Sequence, residues 1–210
     1  RRHGALTIMD CVTSLGGVPV LLDEWGIDAA YSGSQKCLSC TPGLSPVSFS
    51  AAAVERIRAR KTPCPSWFQD LSLVLGYWSG AKRTYHHTAP VNPLFGLHES
   101  LVMLAEEGLE NAWLRHRNNH LRLRAGLEGM GLKFVVREDA RLPQLNTVWV
   151  PEGVDEAVVR SRLLNEFGIE IGAGLGALAG RVWRIGLMGQ SSCTANIVLF
   201  LAALESVLRS

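Results

Sequence analysis

Two short apolar runs, each closing on polar residues, constrain this chain more than any other feature. Residues 5–10 read as a buried, parallel-type strand that ends in the carboxylate of Asp10. Residues 29–32 read as a strand feeding the loop Gly33-Ser34-Gln35-Lys36. Residues 18–22 form an apolar run between them, residues 46–50 are a further strand candidate, and 51–61 predict a helix with a basic face. Short strands with reactive side chains at their carboxyl ends, and helices between them, predict an α/β sheet.

Further along, Leu97, Leu101 and Leu104 follow the spacing that gives a helix one buried face. Residues 118–128 continue the helical character, with Leu121 and Leu127 as apolar positions, and Gly129 and Gly131 stop it. The pattern then becomes α+β. Strands are predicted at 133–136, 146–150, 169–171 and 182–187. A helix beginning near Asp155 carries Val159, Leu163 and Phe167, and a last one carries Ile197, Leu201, Leu204 and Leu208. A boundary near residue 108 divides the chain into 1–108, part of a large and mainly parallel sheet domain, and 109–210, a small α+β domain.

A formal net charge of +2 gives no basic field for nucleic acid. The longest apolar run, residues 197–204, is too short to span a bilayer, so no membrane is expected. Five cysteines without framework spacing suit reduced thiols in a cytoplasmic protein. The opening Arg1-Arg2-His3-Gly4 lacks the apolar core of a signal peptide. The closing Leu208-Arg209-Ser210 is not a peroxisomal address.

A lysine amine can form a Schiff base with a carbonyl. A strand-end carboxylate can keep a pyridine nitrogen protonated, so that the ring draws electrons. Lys36 and Asp10 at two predicted strand ends are the pair that pyridoxal phosphate chemistry needs. Either residue alone is most often a plain loop lysine or a strand-end acid; the pairing gives them weight.

The runs Asp10-Cys11-Val12-Thr13-Ser14-Leu15-Gly16-Gly17, Asp23-Glu24-Trp25-Gly26-Ile27-Asp28 and Tyr31-Ser32-Gly33-Ser34-Gln35-Lys36 resemble the class V aminotransferase family, within the fold type I pyridoxal phosphate enzymes. Its alanine–glyoxylate and serine–pyruvate branch is the most similar. Arg83-Thr84-Tyr85-His86-His87-Thr88-Ala89-Pro90, Glu107-Gly108-Leu109-Glu110-Asn111 and Arg181-Val182-Trp183-Arg184-Ile185-Gly186 match further family segments in the right order.

The resemblance implies pyridoxal 5′-phosphate as cofactor and a homodimer whose sites are shared across the interface. It implies Lys36 as the Schiff-base residue that also moves the substrate proton. Asp10 would face the pyridinium nitrogen, Val12 the ring, and Gln35 the phosphate. Tyr85 and Thr88 would reach the phosphate of the other subunit. Arg184 would grip the substrate carboxylate, a task that suits its planar fork. The implied reaction is ping-pong transamination of alanine or serine with a 2-oxo acid such as glyoxylate or pyruvate. Nine residues precede Asp10, and they hold neither the family's Ser/Gly-rich phosphate turn nor its ring-stacking aromatic. The chain is therefore expected to be the carboxyl-terminal part of such an enzyme.

Three features imitate other sites. His86-His87 lacks a third metal ligand, and these histidines are expected to be hydrogen-bonded structural groups. Cys37-Leu38-Ser39-Cys40 lacks a second pair for zinc and runs at once into Pro42 and Gly43. Alkylation of Cys37, beside Lys36, is an expected route to inactivation. The glycine run 172–180 imitates a dinucleotide fingerprint but leads into a strand, with no acid over 190–196. It reads as a flexible loop near the substrate.

Two other functions compete. A cysteine desulfurase, or another class V lyase, needs a mobile loop cysteine; residues 172–180 hold none, and Cys193 opens a predicted helix. The histidine that precedes the desulfurase lysine is Gln35 here. A non-catalytic, cofactor-binding-only fragment is the other.

Overall fold

The computed structural model describes residues 3–79 and 84–209. Arg83, which opens the Tyr-His-His-Thr segment, lies outside them, as do Arg1, Arg2 and Ser210.

β1 (Ile8–Asp10) pairs in parallel with β2 (Ala29–Tyr31), Asp10 standing opposite Tyr31. β3 (Val47–Phe49) runs antiparallel to β2, giving the order β1-β2-β3. The buried carboxylate of Asp28 ties this sheet at one end. It accepts the Thr7 amide at 3.0 Å and the Ser50 hydroxyl at 3.1 Å. Residues 18–22 form no strand; the chain there makes an isolated bridge at Val18 and then turns. Pro19, with no amide hydrogen, cannot extend a ladder.

Helix α1 (Ala51–Arg58) starts at Ser50, whose hydroxyl accepts the Ala53 amide at 3.2 Å. It ends short of the predicted 61. Helices α2 (Leu71–Ser79) and α3 (Val91–Glu107) follow, then Gly108 and α4 (Leu109–Gly129). The predicted 118–128 helix is thus the second half of a longer one. Leu127 is buried in it, while Leu121 points outward. The predicted buried face of α3 is corrected. None of its residues is buried, and Leu101 is exposed, because α4 is the helix it packs on and the rest of that face is uncovered.

The carboxyl-terminal part is β4 (Leu145–Trp149), α5 (Glu156–Phe167), β5 (Gly172–Ala173), β6 (Val182–Gly186) and α6 (Thr194–Arg209). Its sheet is antiparallel, in the order β4-β6-β5. Asp155 caps α5 by accepting the amides of Ala157 and Val158 at 2.9 and 3.0 Å. Leu123, Leu127, Val148, Leu163, Trp183 and Leu204 are buried completely in one core that gathers residues from 123 to 207. Burying each large side chain contributes about 1.5–3 kcal/mol before entropy is counted.

Two predicted strands do not form. Residues 133–136 make one bridge, Phe134 to Val148, before the chain leaves for a short 3-10 turn at Glu138–Ala140. Residues 169–171 are drawn into the end of α5 instead. The Ile169 amide bonds back to the Leu163 carbonyl at 3.0 Å, and pairing begins only at Gly172.

Candidate active site

Asp10 closes β1 with its side chain exposed. Its carboxylate accepts the Val12 amide at 2.9 Å and the Tyr31 hydroxyl at 2.8 Å. These two bonds, the main-chain one first, hold its pKa below the ordinary carboxylate value. Asp10 is therefore an anion at neutral pH. Donating to it pushes the Tyr31 phenol up in turn. The cross-strand register that sets Tyr31 opposite Asp10 makes this contact.

The loop after β2 is pinned by its serines. Ser32 donates its amide to Pro46 O at 2.8 Å and its hydroxyl to Cys11 O at 3.2 Å. Ser34 donates its hydroxyl to Thr41 O at 2.7 Å. Both side chains are buried, so a stretch that reads as a solvated loop is fixed on each side. Gln35 emerges exposed and Lys36 half-buried.

Cys37 overturns one expectation. It is buried and donates to Thr13 O at 3.4 Å, and burial pushes its pKa up to about 11. The thiolate is the nucleophile, so alkylation at Cys37 is suppressed.

Arg184 sits on β6 opposite Gly172 and Thr147. Its Nε donates to Ala173 O at 2.6 Å, which leaves the outer edge of the guanidinium available. Among the described residues no carboxylate forms an ion pair with it. The Tyr85 hydroxyl lies 2.6 Å from Thr88 Oγ1, and Tyr85 is 73% exposed. His86 is buried, stacked on Trp67 at 4.1 Å between centroids, with Nε2 3.0 Å from Trp67 O and Nδ1 2.7 Å from His87 Nδ1. Its ring nitrogens are occupied. Among the described residues no group of three or more His, Cys, Asp and Glu could hold a metal.

Asp10 and Val12 thus share one hydrogen bond, and Tyr85 and Thr88 another. Among the described residues, no hydrogen bond joins Gln35, Lys36 or Arg184 to another candidate. Sequence reasoning missed Tyr31 as the partner of Asp10, although its place at the end of the paired strand was a signal. It also missed two contacts between distant parts of the chain. Gln144, buried before β4, points its amide at Ser14 O, 3.5 Å away, in the turn after Asp10, and packs on Gly17, where a Cβ would collide with it. The Gln190 amide donates to Ser39 Oγ at 2.9 Å, in the turn after Lys36. Neither has a local signature.

Residues 1–192 match the model of the family described as aminotransferase class V. The chain belongs to this family. Among curated class V relatives, the alanine–glyoxylate aminotransferase of Callithrix jacchus is 44% identical over 99% of this chain and 51% of its own length. The (S)-ureidoglycine–glyoxylate transaminase of Bacillus subtilis is 39% identical over 99% of this chain and 54% of its own. Among solved structures, the alanine–glyoxylate aminotransferase from Nostoc sp. superposes with a TM-score of 0.96 at 50% identity, covering all of this chain and 55% of that one. The fold is therefore that of the fold type I pyridoxal phosphate aminotransferases. This class V aminotransferase chain spans about half the length of the curated relatives it matches. No helix among its described residues is long and apolar enough to cross a membrane.

Proposed function

We propose that this chain carries the lysine, carboxylate and arginine of a pyridoxal 5′-phosphate-dependent aminotransferase that moves the amino group of alanine or serine to a 2-oxo acid such as glyoxylate or pyruvate. The parallel β1–β2 pair carries the reading. Its carboxyl ends hold an ionised Asp10 and lead into the Lys36 loop, where ligands bind in open α/β sheets.

The donor set fits the cofactor. Pyridoxal phosphate, when bound, supplies a pyridinium ring that draws electrons from the amino acid Cα. Asp10, an anion, favours the protonated ring nitrogen. Val12 lies half-buried two residues on, where it can touch the ring. Gln35 offers an exposed amide to the phosphate. Lys36 is the nucleophile toward the carbonyl and the base for the proton at Cα. Arg184 offers its free edge to the substrate carboxylate. Tyr85 and Thr88 serve the partner subunit's phosphate in a homodimer, and the strong exposure of Tyr85 accords with that. A division of the chain at residue 108 and a cytoplasmic location with five free thiols belong to the same proposal.

Glyoxylate is the better supported half of the reaction, since it appears in the names of both curated relatives while their donors differ. The test is borohydride reduction of the purified chain with pyridoxal phosphate, followed by peptide mass mapping. A pyridoxyl group is expected on Lys36 and on no residue of Lys36→Ala. Its absence from Lys36 in the folded chain overturns the reading. Formation of glycine from glyoxylate with alanine or serine then assigns the donor.

A further inference from the structure

Gly189, which follows β6, stands between α4 and the lysine turn. Its amide donates to His116 Nε2 at 3.0 Å, and its carbonyl accepts from Arg115 Nη1 at 2.7 Å. Both partners belong to α4. His116 is completely buried, and its Nδ1 donates to Ala112 O at 2.6 Å, which leaves Nε2 as an acceptor for Gly189. Arg115 is fixed in turn by Glu107, with Nη2 2.7 Å from Oε2, and by the Ser192 carbonyl at 3.0 Å.

The other side of Gly189 meets the turn that follows Lys36. At φ 58° a Cβ here would be strained, and it would collide with Ser39 Oγ and crowd Cys37 O. Beside this contact the Gln190 amide donates to Ser39 Oγ at 2.9 Å. The Ser39 amide closes the turn on the Lys36 carbonyl at 3.0 Å. Ser39 has φ 61°, the one positive value outside glycine among the described residues. Such a conformation persists only where its surroundings hold it.

We propose that His116 is a positioning residue for Lys36, acting through the Gly189 peptide and the Ser39 turn. The inference rests on the reading of Lys36 as the reactive amine. Without its acceptor the Gly189 amide keeps only the Cys37 thiol beside it, and the peptide that abuts the lysine turn loses one of its two holds on α4. The same backbone carries Arg184, five residues before Gly189. The short segment from β6 into the turn at Gly189 thus refers both the carboxylate grip and the amine to a single frame. Misplacement of reacting groups by about 1 Å can cost about 100-fold in rate.

The test uses the full chain without cofactor. A trace of an amine-acylating reagent is added, and modification of Lys36 is followed by mass mapping relative to the exposed Lys133. In His116→Leu the ratio is expected to rise about fivefold, the equivalent of one net hydrogen bond. In His116→Gln, whose amide oxygen can accept from Gly189, it should return toward the original value. A ratio unchanged in a folded His116→Leu chain overturns the proposal, and so does a purely structural outcome in which both variants lower the melting temperature and leave the ratio alone. Where His116→Leu does not fold, Ser39→Gly decides. That position is exposed, and glycine keeps the positive φ while removing Oγ. A raised ratio supports the proposal and an unchanged one overturns it. Because no cofactor takes part, a missing pyridoxyl group on Lys36 would refute the aminotransferase reading separately from this result.

Discussion

Asp10 owes its charge to two donors of different origin. The Val12 amide is local and survives any side-chain change, whereas the Tyr31 hydroxyl comes from the next strand. Tyr31→Phe is therefore expected to move the Asp10 pKa upward, back toward its ordinary value, without releasing it fully. The carboxyl carbon resonance of Asp10, followed by NMR through acid pH, checks this; no upward movement would refute it. His116 makes a second prediction. Burial, the largest cause, pushes its pKa below the ordinary 6.5, with neighbouring Arg115 pushing the same way and the Ala112 carbonyl and Glu107 opposing. Below 6.5 the unfolded chain binds a proton that the folded chain resists. The stability this group contributes is complete above that value and is lost as pH falls through the lower folded value. Urea unfolding at a series of pH values should show a loss between neutral and acid pH that His116→Gln reduces. The sequence pointed to Asp10 and Lys36 because Asp10 closes one apolar run and Lys36 ends the polar loop that follows another. It could not show Tyr31 or His116 acting, since those contacts depend on register and on a meeting of residues 73 apart.

At the scale of elements, helix starts were legible where a side chain marks them. Asp155 was placed correctly as the start of a helix because an acceptor preceding an apolar repeat is a local signal. Asp155→Ala should lower stability by about 1 kcal/mol, measured as a shift in urea midpoint at constant slope. Leu163→Ala, at a fully buried position of the same helix, should cost about 2–5 kcal/mol. If the two costs are equal, the account of this helix is wrong. Strands were less legible. Residues 133–136 and 169–171 have the right composition, yet the first leaves its neighbour after one bridge and the second is taken up by a helix end. The first outcome is set by a partner fourteen residues along the chain, the second by the helix end six residues back, which competes for the Ile169 amide. The apolar spacing of α3 predicted a helix correctly, but spacing cannot say whether anything covers the face.

Across the whole molecule, burial is uneven. The large core lies within residues 123–207, while around β1–β3 the apolar side chains are often exposed, Ile8 to 75%. Amides of β2 and β3 should therefore exchange with deuterium faster than those of β4 and β6 at neutral pH. Equal protection would contradict this reading. The cofactor-facing candidates sit in the weakly packed part and Arg184 in the well-packed one, joined by contacts such as Gln144 to Ser14 and Gln190 to Ser39. Fold class was legible because it rests on local runs; these joints were not. The stretch from Arg184 to Gly189 acts as a ruler. β6 ends at Gly186 and a 3-10 turn begins at Gly189, so adding or deleting one residue there would shift Gly189 away from its contacts with His116 and Arg115 while Arg184 stayed in the sheet. Chain length, as much as residue identity, is therefore fixed at this point, and loop grafting or domain exchange between relatives should be spliced outside it.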